Sequence, residues 1–151
     1  MTSLTLVRRI AARPSIVFEA LTTQDGIAAW WGPDDLPLLT SEIDARVGGG
    51  YRVRFQTQDG REHEVFGEYL EVNPPRRIVM TWRYAFGGEP EEGEATSRIE
   101  IEVAPFDGGS ELTFTHSGLK NPASVASHTH GWTGSLAKLV RLFDDPWKNP
   151  R

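Results

Sequence analysis

The residues of this chain best able to do chemistry are its four histidines and a set of aromatic side chains. An imidazole changes charge near neutral pH, so two of them facing one space could hydrogen-bond a ligand or move a proton. His116 and His128 are the candidate pair. His116 ends the alternating row Leu112, Phe114, His116, and His128 lies on an apolar stripe beside Trp132. The plainer alternative is that each ring satisfies a local hydrogen bond. His63 follows the Asp59-Gly60 turn and is expected to be exposed; His130 is expected to be solvated. His128 and His130 point to different helix faces with no third ligand in view, so no metal site is expected.

The aromatic set is Trp30, Trp31, Phe55, Trp82, Tyr84, Phe114 and Trp132. Core packing is the plain alternative for any one of them. As a set they suit a pocket, because ligand sites are mainly apolar with a few polar groups, and Tyr84 and Trp132 each carry a polar atom that needs a partner. The expected ligand-binding residues are these seven with His116 and His128, and the same two histidines are the only catalytic candidates. There is no Gly-rich phosphate loop, no Ser-His-Asp spacing and no pair of inward carboxylates, and no cofactor is expected. Arg52, Arg54 and Arg83 alternate with apolar neighbours and are expected to face water.

The elements that must position these residues read in order. Leu4 to Ile10 is β-prone and stops at Arg13-Pro14. Pro14 suits the first turn of a helix that runs to Leu21, and Thr22 or Thr23 can cap a second short helix over QDGIAAWW. Strands follow at Leu38 to Ile43, Tyr51 to Thr57 and His63 to Val72, with Gly48-Gly49-Gly50 expected to bend the chain where the sheet curls. After Asn73-Pro74-Pro75 come strands at Ile78 to Tyr84, Ile99 to Val103 and Leu112 to His116. Glu89, Glu91, Glu92 and Glu94 lie in an acidic loop that could serve as a lid. From Pro122 the period turns helical: Val125, His128, Trp132, Leu136, Leu139, Val140 and Phe143 share a stripe, Asn121 can cap it, and Pro146 ends it. Gly131 and Ser135 beside the stripe could admit a close neighbour. The fold class is α+β, a curved antiparallel sheet of about seven strands around a long C-terminal helix.

Composition bounds the rest. A chain of 151 residues with 38% hydrophobic content forms one domain, expected over residues 1–145 with a short tail at 146–151. A formal net charge of -5 leaves no basic stripe for nucleic acid or an anionic membrane, and neither partner is expected. Zero cysteine excludes thiol catalysis and disulfides. With neither a signal peptide nor a spanning apolar run, the expectation is a cytoplasmic protein; a homodimer is left open.

The stretch RPSIVFEALTTQDGIAAWWGP resembles the helix pair of the START-like (Bet v 1-like) superfamily, and more narrowly the heat shock protein 90 ATPase activator-like family. Gly48-Gly49, Gly67, Glu71-Val72, Pro74-Pro75-Arg76, Thr81-Trp82 and Gly131-Trp132 continue the resemblance in family order to about residue 143. It implies a helix-grip fold enclosing a hydrophobic cavity. It implies function less sharply, since such folds host carriers, cyclases, hydrolases and chaperone partners. The match begins at the first residues, so a second, chaperone-binding domain is not expected, nor a chaperone partner. Three readings stand: a binding protein for a small hydrophobic molecule, a cyclase or hydrolase using His116 and His128, and a module acting on a chaperone ATPase.

Overall fold

The computed structural model describes residues 2–87 and 96–144. The acidic run Glu89–Glu94 and the helix stop at Pro146 lie outside the described residues. The elements are β1 Leu4–Ile10, α1 Pro14–Thr22, α2 Gln24–Trp30, β2 Thr40–Ile43, β3 Gly50–Gln56, β4 Glu62–Asn73, β5 Arg77–Phe86, β6 Ser97–Phe106, β7 Gly109–Ser117 and α3 Pro122–Leu142. One antiparallel sheet runs β1-β7-β6-β5-β4-β3-β2. β1 and β2 are therefore opposite edges, and the connection that carries α1 and α2 crosses from one to the other.

Local chemistry explains the element ends. Pro14 opens α1 where its missing N–H is no loss, and the Thr23 hydroxyl accepts the Gly26 N–H to start α2. Asn121 Oδ1 accepts the Ser124 N–H at 2.9 Å and Pro122 begins α3. The buried positions of α3 are Ser124, His128, Trp132, Ser135, Leu136 and Leu139, one stripe at three- and four-residue steps laid along the inner face of the sheet. β2 is shorter than the strand expected over Leu38 to Ile43: Leu38 and Leu39 precede its first residue, and Leu39 is exposed.

The amides of Gly48 and Tyr69 exchange hydrogen bonds with the opposite strand at 3.0 and 2.9 Å, so the glycine run extends the ladder of β3 and β4. The sheet bends at β4, where its register with β5 shifts between Glu64 and Val65 and again between Tyr69 and Glu71. Gly67 sits between the two shifts. A Cβ there would lie 2.1 Å from the Thr81 carbonyl oxygen, so the closest approach of the two strands requires glycine. On the outer face Arg52 and Arg54 flank the nearly buried carboxylate of Glu64, and the Arg83 guanidinium lies over the Phe66 ring.

Candidate functional site

Between the sheet and α3 lies a cavity of about 400 Å³. Trp31, Phe55, Trp82, Tyr84, His128 and Trp132 form its apolar walls, and Asp34, Gln58, Asp59, Arg61, Ser127 and His130 its polar edge. Four elements meet there: the loop after α2, the β3–β4 hairpin, β5 and the middle turns of α3.

Trp30 and Trp31 are neighbours in sequence that diverge in space, because α2 ends between them. Trp30 turns into the core and its indole N–H donates to the Ala20 carbonyl at 2.9 Å. Trp31, extended at φ -64 and ψ 144, stacks on Trp82 with ring centres 5.7 Å apart and meets Trp132 edge-on at 5.4 Å. Its backbone is held from α3. Lys138 Nζ donates to the carbonyls of Trp31 and Asp34 at 3.2 and 2.7 Å, and burial lowers the pKa of this ammonium below the ordinary lysine value. Gly134 lets the helix come so near that a Cβ would lie 2.3 Å from the Pro33 oxygen. The close approach expected at Gly131 and Ser135 thus falls at Gly134; at Gly131 a Cβ would meet Pro33 at an ordinary 3.7 Å. Asp34 Oδ2 accepts the Gln58 N–H at 2.9 Å, which ties the loop to the β3–β4 hairpin.

The histidine tautomers follow from their partners. Trp132 Nε1–H donates to His116 Nδ1 at 3.1 Å, so that nitrogen carries no proton. His116 Nε2–H then donates to Ser97 Oγ at 2.7 Å. Both nitrogens are engaged in a fully buried, neutral ring, and burial, with His128 adding a smaller share, holds its pKa well below 6.5. His128 is arranged the other way round. Its Nδ1 lies 2.8 Å from the Ser124 carbonyl, which can only accept, so Nδ1 carries the proton and Nε2 accepts the Tyr84 hydroxyl at 3.0 Å. The two imidazoles are 4.9 Å apart, but only His128 lines the cavity. Trp82 Nε1–H is buried and has no hydrogen-bond partner among the described residues.

His63 corrects an expectation of exposure. It is buried because β3 and β4 pair Phe55 with His63, and the two rings stack 5.1 Å apart at the cavity wall. Phe55 points inward, so its cross-strand partner must too; that register was the available signal. His130 is exposed, as expected, at the cavity edge. Of the nine residues expected to bind a ligand, Trp31, Phe55, Trp82, Tyr84, His128 and Trp132 line the cavity. Trp30, Phe114 and His116 lie behind it, Phe114 packing on Trp132 at 4.5 Å. Lys138, Ser97, Ser124 and the residues of the β3–β4 turn carried no sequence signal, since each acts through a partner distant in the chain. Among the described residues no three acidic or histidine side chains are grouped to hold a metal ion, and no helix is long and apolar enough to cross a membrane.

Solved structures share this architecture. Protein CV1439 from Chromobacterium violaceum is 28% identical, with 96% of this chain and 99% of that one covered at a TM-score of 0.81. The AHSA1 (SPO3351) protein from Silicibacter pomeroyi is 26% identical over 92% and 95% of the two chains, with a TM-score of 0.79. Protein MLL2253 from Mesorhizobium loti shares the fold at 22% identity, 94% and 96% coverage and a TM-score of 0.74. No curated protein sequence matches the chain. The model of the family described as Activator of Hsp90 ATPase homolog 1-like protein matches residues 11–144. With its helix-grip sheet and terminal helix, the chain belongs to that family, within the START-like proteins.

Proposed function

We propose that this protein binds a small apolar or amphipathic molecule between the sheet and α3. The observation that carries the reading is the cavity walled by Trp31, Trp82 and Trp132. Its volume of about 400 Å³ falls within the range of roughly 300–1,000 Å³ usual for small-molecule sites. Rigid indole walls lose little conformational entropy when a ligand settles on them. The Tyr84–His128 pair supplies a polar point within the apolar wall, and the edge formed by Asp34, Asp59 and Arg61 suits the polar end of an amphipathic ligand. An acid–base role shared by His116 and His128 is the less economical reading, because both nitrogens of His116 are already engaged.

Native mass spectrometry of freshly purified protein, followed by a thermal-shift screen of fatty acids, flavonoids and polyketide-like aromatics, tests the proposal. A ligand at one hundred times its Kd stabilises by about 2.7 kcal/mol, a rise of roughly 5–10 °C for a domain of this size. Absence of both a bound mass and any thermal shift across the panel would contradict it.

A further inference from the structure

We infer that the guest of this cavity carries a neutral acceptor oxygen, a carbonyl on an apolar body, and that Trp82 Nε1–H is the donor it meets. The inference rests on the cavity being a ligand site. Two other buried indoles are matched within the fold: Trp30 donates to the Ala20 carbonyl at 2.9 Å and Trp132 to His116 Nδ1 at 3.1 Å. Trp82 is buried as deeply as Trp132, yet its Nε1–H meets no acceptor among the described residues. The rings of Trp31, Trp132 and His116 surround it, with centres 5.7, 5.1 and 5.5 Å away. Both His116 nitrogens are engaged, by Ser97 and Trp132, and those of His128 face the Ser124 carbonyl and the Tyr84 hydroxyl. A buried N–H left without an acceptor costs as much as a lost hydrogen bond, and such groups are rare in folded proteins. Here the group belongs to a side chain that walls the cavity, where a guest can supply what the fold does not.

Nε1 is shielded from bulk solvent, so a guest oxygen reaches it by shifting the rings beside it. The cavity of about 400 Å³ borders Trp31, Trp82 and Trp132 and leaves room for that shift. Trp31 is the ring best placed to give way, since it stands on the loop after α2, whereas Trp82 and Trp132 stand on β5 and α3. A neutral oxygen fits better than a carboxylate. One N–H in an apolar wall does not offset the desolvation of a charge, and the edge, where Asp34 and Asp59 outnumber Arg61, does not favour an anion.

Two probes of one shape test the donor: 2-acetylnaphthalene, and 2-isopropenylnaphthalene, in which a CH2 group replaces the carbonyl oxygen. In nitrogen–proton correlation spectra of the full chain, both probes shift the Trp82 indole signal through ring currents. The ketone should in addition move its proton downfield, the signature of a hydrogen bond formed. In Trp82→Phe, calorimetry should show the affinity of the ketone relative to the alkene falling roughly tenfold, the cost of leaving a buried acceptor unpaired. Loss of wall area weakens both probes alike and cancels in that ratio. If both probes bind and the Trp82 proton responds to them in the same way, the donor assignment is overturned and the ligand site stands. An unchanged ratio in Trp82→Phe overturns it too. If neither probe binds, the inference falls, and the native-mass and thermal-shift screen decides separately whether the ligand-site reading falls with it. The wild-type spectra alone decide the case should Trp82→Phe fail to fold.

Discussion

At one end of the space between sheet and α3, Leu21, Ile27 and Trp30 pack against Tyr51, Ile78 and Phe114 and leave about 10 Å³. At the other, Trp31, Trp82 and Trp132 leave about 400 Å³. The aromatic residue types are the same at both ends. At the closed end the helix pair provides large side chains, and two of the ring polar atoms there are matched internally: Trp30 Nε1–H to the Ala20 carbonyl, Tyr51 O–H to the Thr81 carbonyl. A residual space of that size is no more than the least that one water needs, about 10–15 Å³. At the open end the lining includes Gly32, Gly131, Ser127 and Ser135, which are too small to fill the gap. Whether an inward aromatic becomes core or cavity wall is decided by the residue opposite it.

Substitutions should divide along that line. Trp30→Ala is expected to cost about 3–5 kcal/mol in urea unfolding, the range for emptying a packed aromatic site, without any direct contact with a guest. Trp132→Ala, at the boundary, should cost a similar amount and also weaken binding. A loss below about 1 kcal/mol in either would mean that α3 and the helix pair do not close the core as described.

The two helix glycines give the next contrast. Gly134→Ala forces a methyl against the Pro33 carbonyl and should destabilise by about 1–3 kcal/mol, with a change in tryptophan fluorescence as the Trp31 loop moves. Gly131→Ala meets only ordinary contact and should gain up to about 1 kcal/mol of helix propensity while narrowing the cavity. Equal effects would erase the distinction between anchored loop and open wall.

A smaller effect depends on pH. The folded pKa of His116 lies well below the ordinary 6.5, through burial first and His128 second. The unfolded chain takes up a proton near 6.5 while the folded ring stays neutral. Stability from this group is therefore complete above pH 6.5 and falls as pH drops toward the folded value, by at most about 1.4 kcal/mol per pH unit. Urea midpoints at pH 7.5, 6.5 and 5.5 should decline, and His116→Gln should flatten the decline; stability that rises toward pH 5.5 would contradict the tautomer assignment. The smallest effect belongs to the outer face, where Arg9→Ala breaks an exposed pair with Glu111 at 3.5 Å and should cost less than about 1 kcal/mol.

Periodicity made much of this legible. Alternation at Tyr51, Val53 and Phe55, and again at Ile99, Ile101 and Val103, marked inward positions, all of which are buried. The four-residue step from His128 to Trp132 marked the buried stripe of α3. What stayed hidden was cross-chain geometry. No periodicity announces that Lys138 reaches two carbonyls of the α2–β2 loop, or that Tyr84 and His128, 44 positions apart, share a proton. His63 was misread because a turn nearby suggested exposure, whereas pairing with Phe55 fixes which way a strand residue faces.

The central claim is that one end of the space accepts a guest and the other does not. Nitrogen–proton correlation spectra follow both ends at once through the indole N–H signals of Trp30, Trp31, Trp82 and Trp132. On titration with 2-acetylnaphthalene, the signals of Trp31, Trp82 and Trp132 should shift and saturate together while that of Trp30 stays in place. A shift of Trp30 equal to the others, or no saturable shift in any of them, would contradict the account.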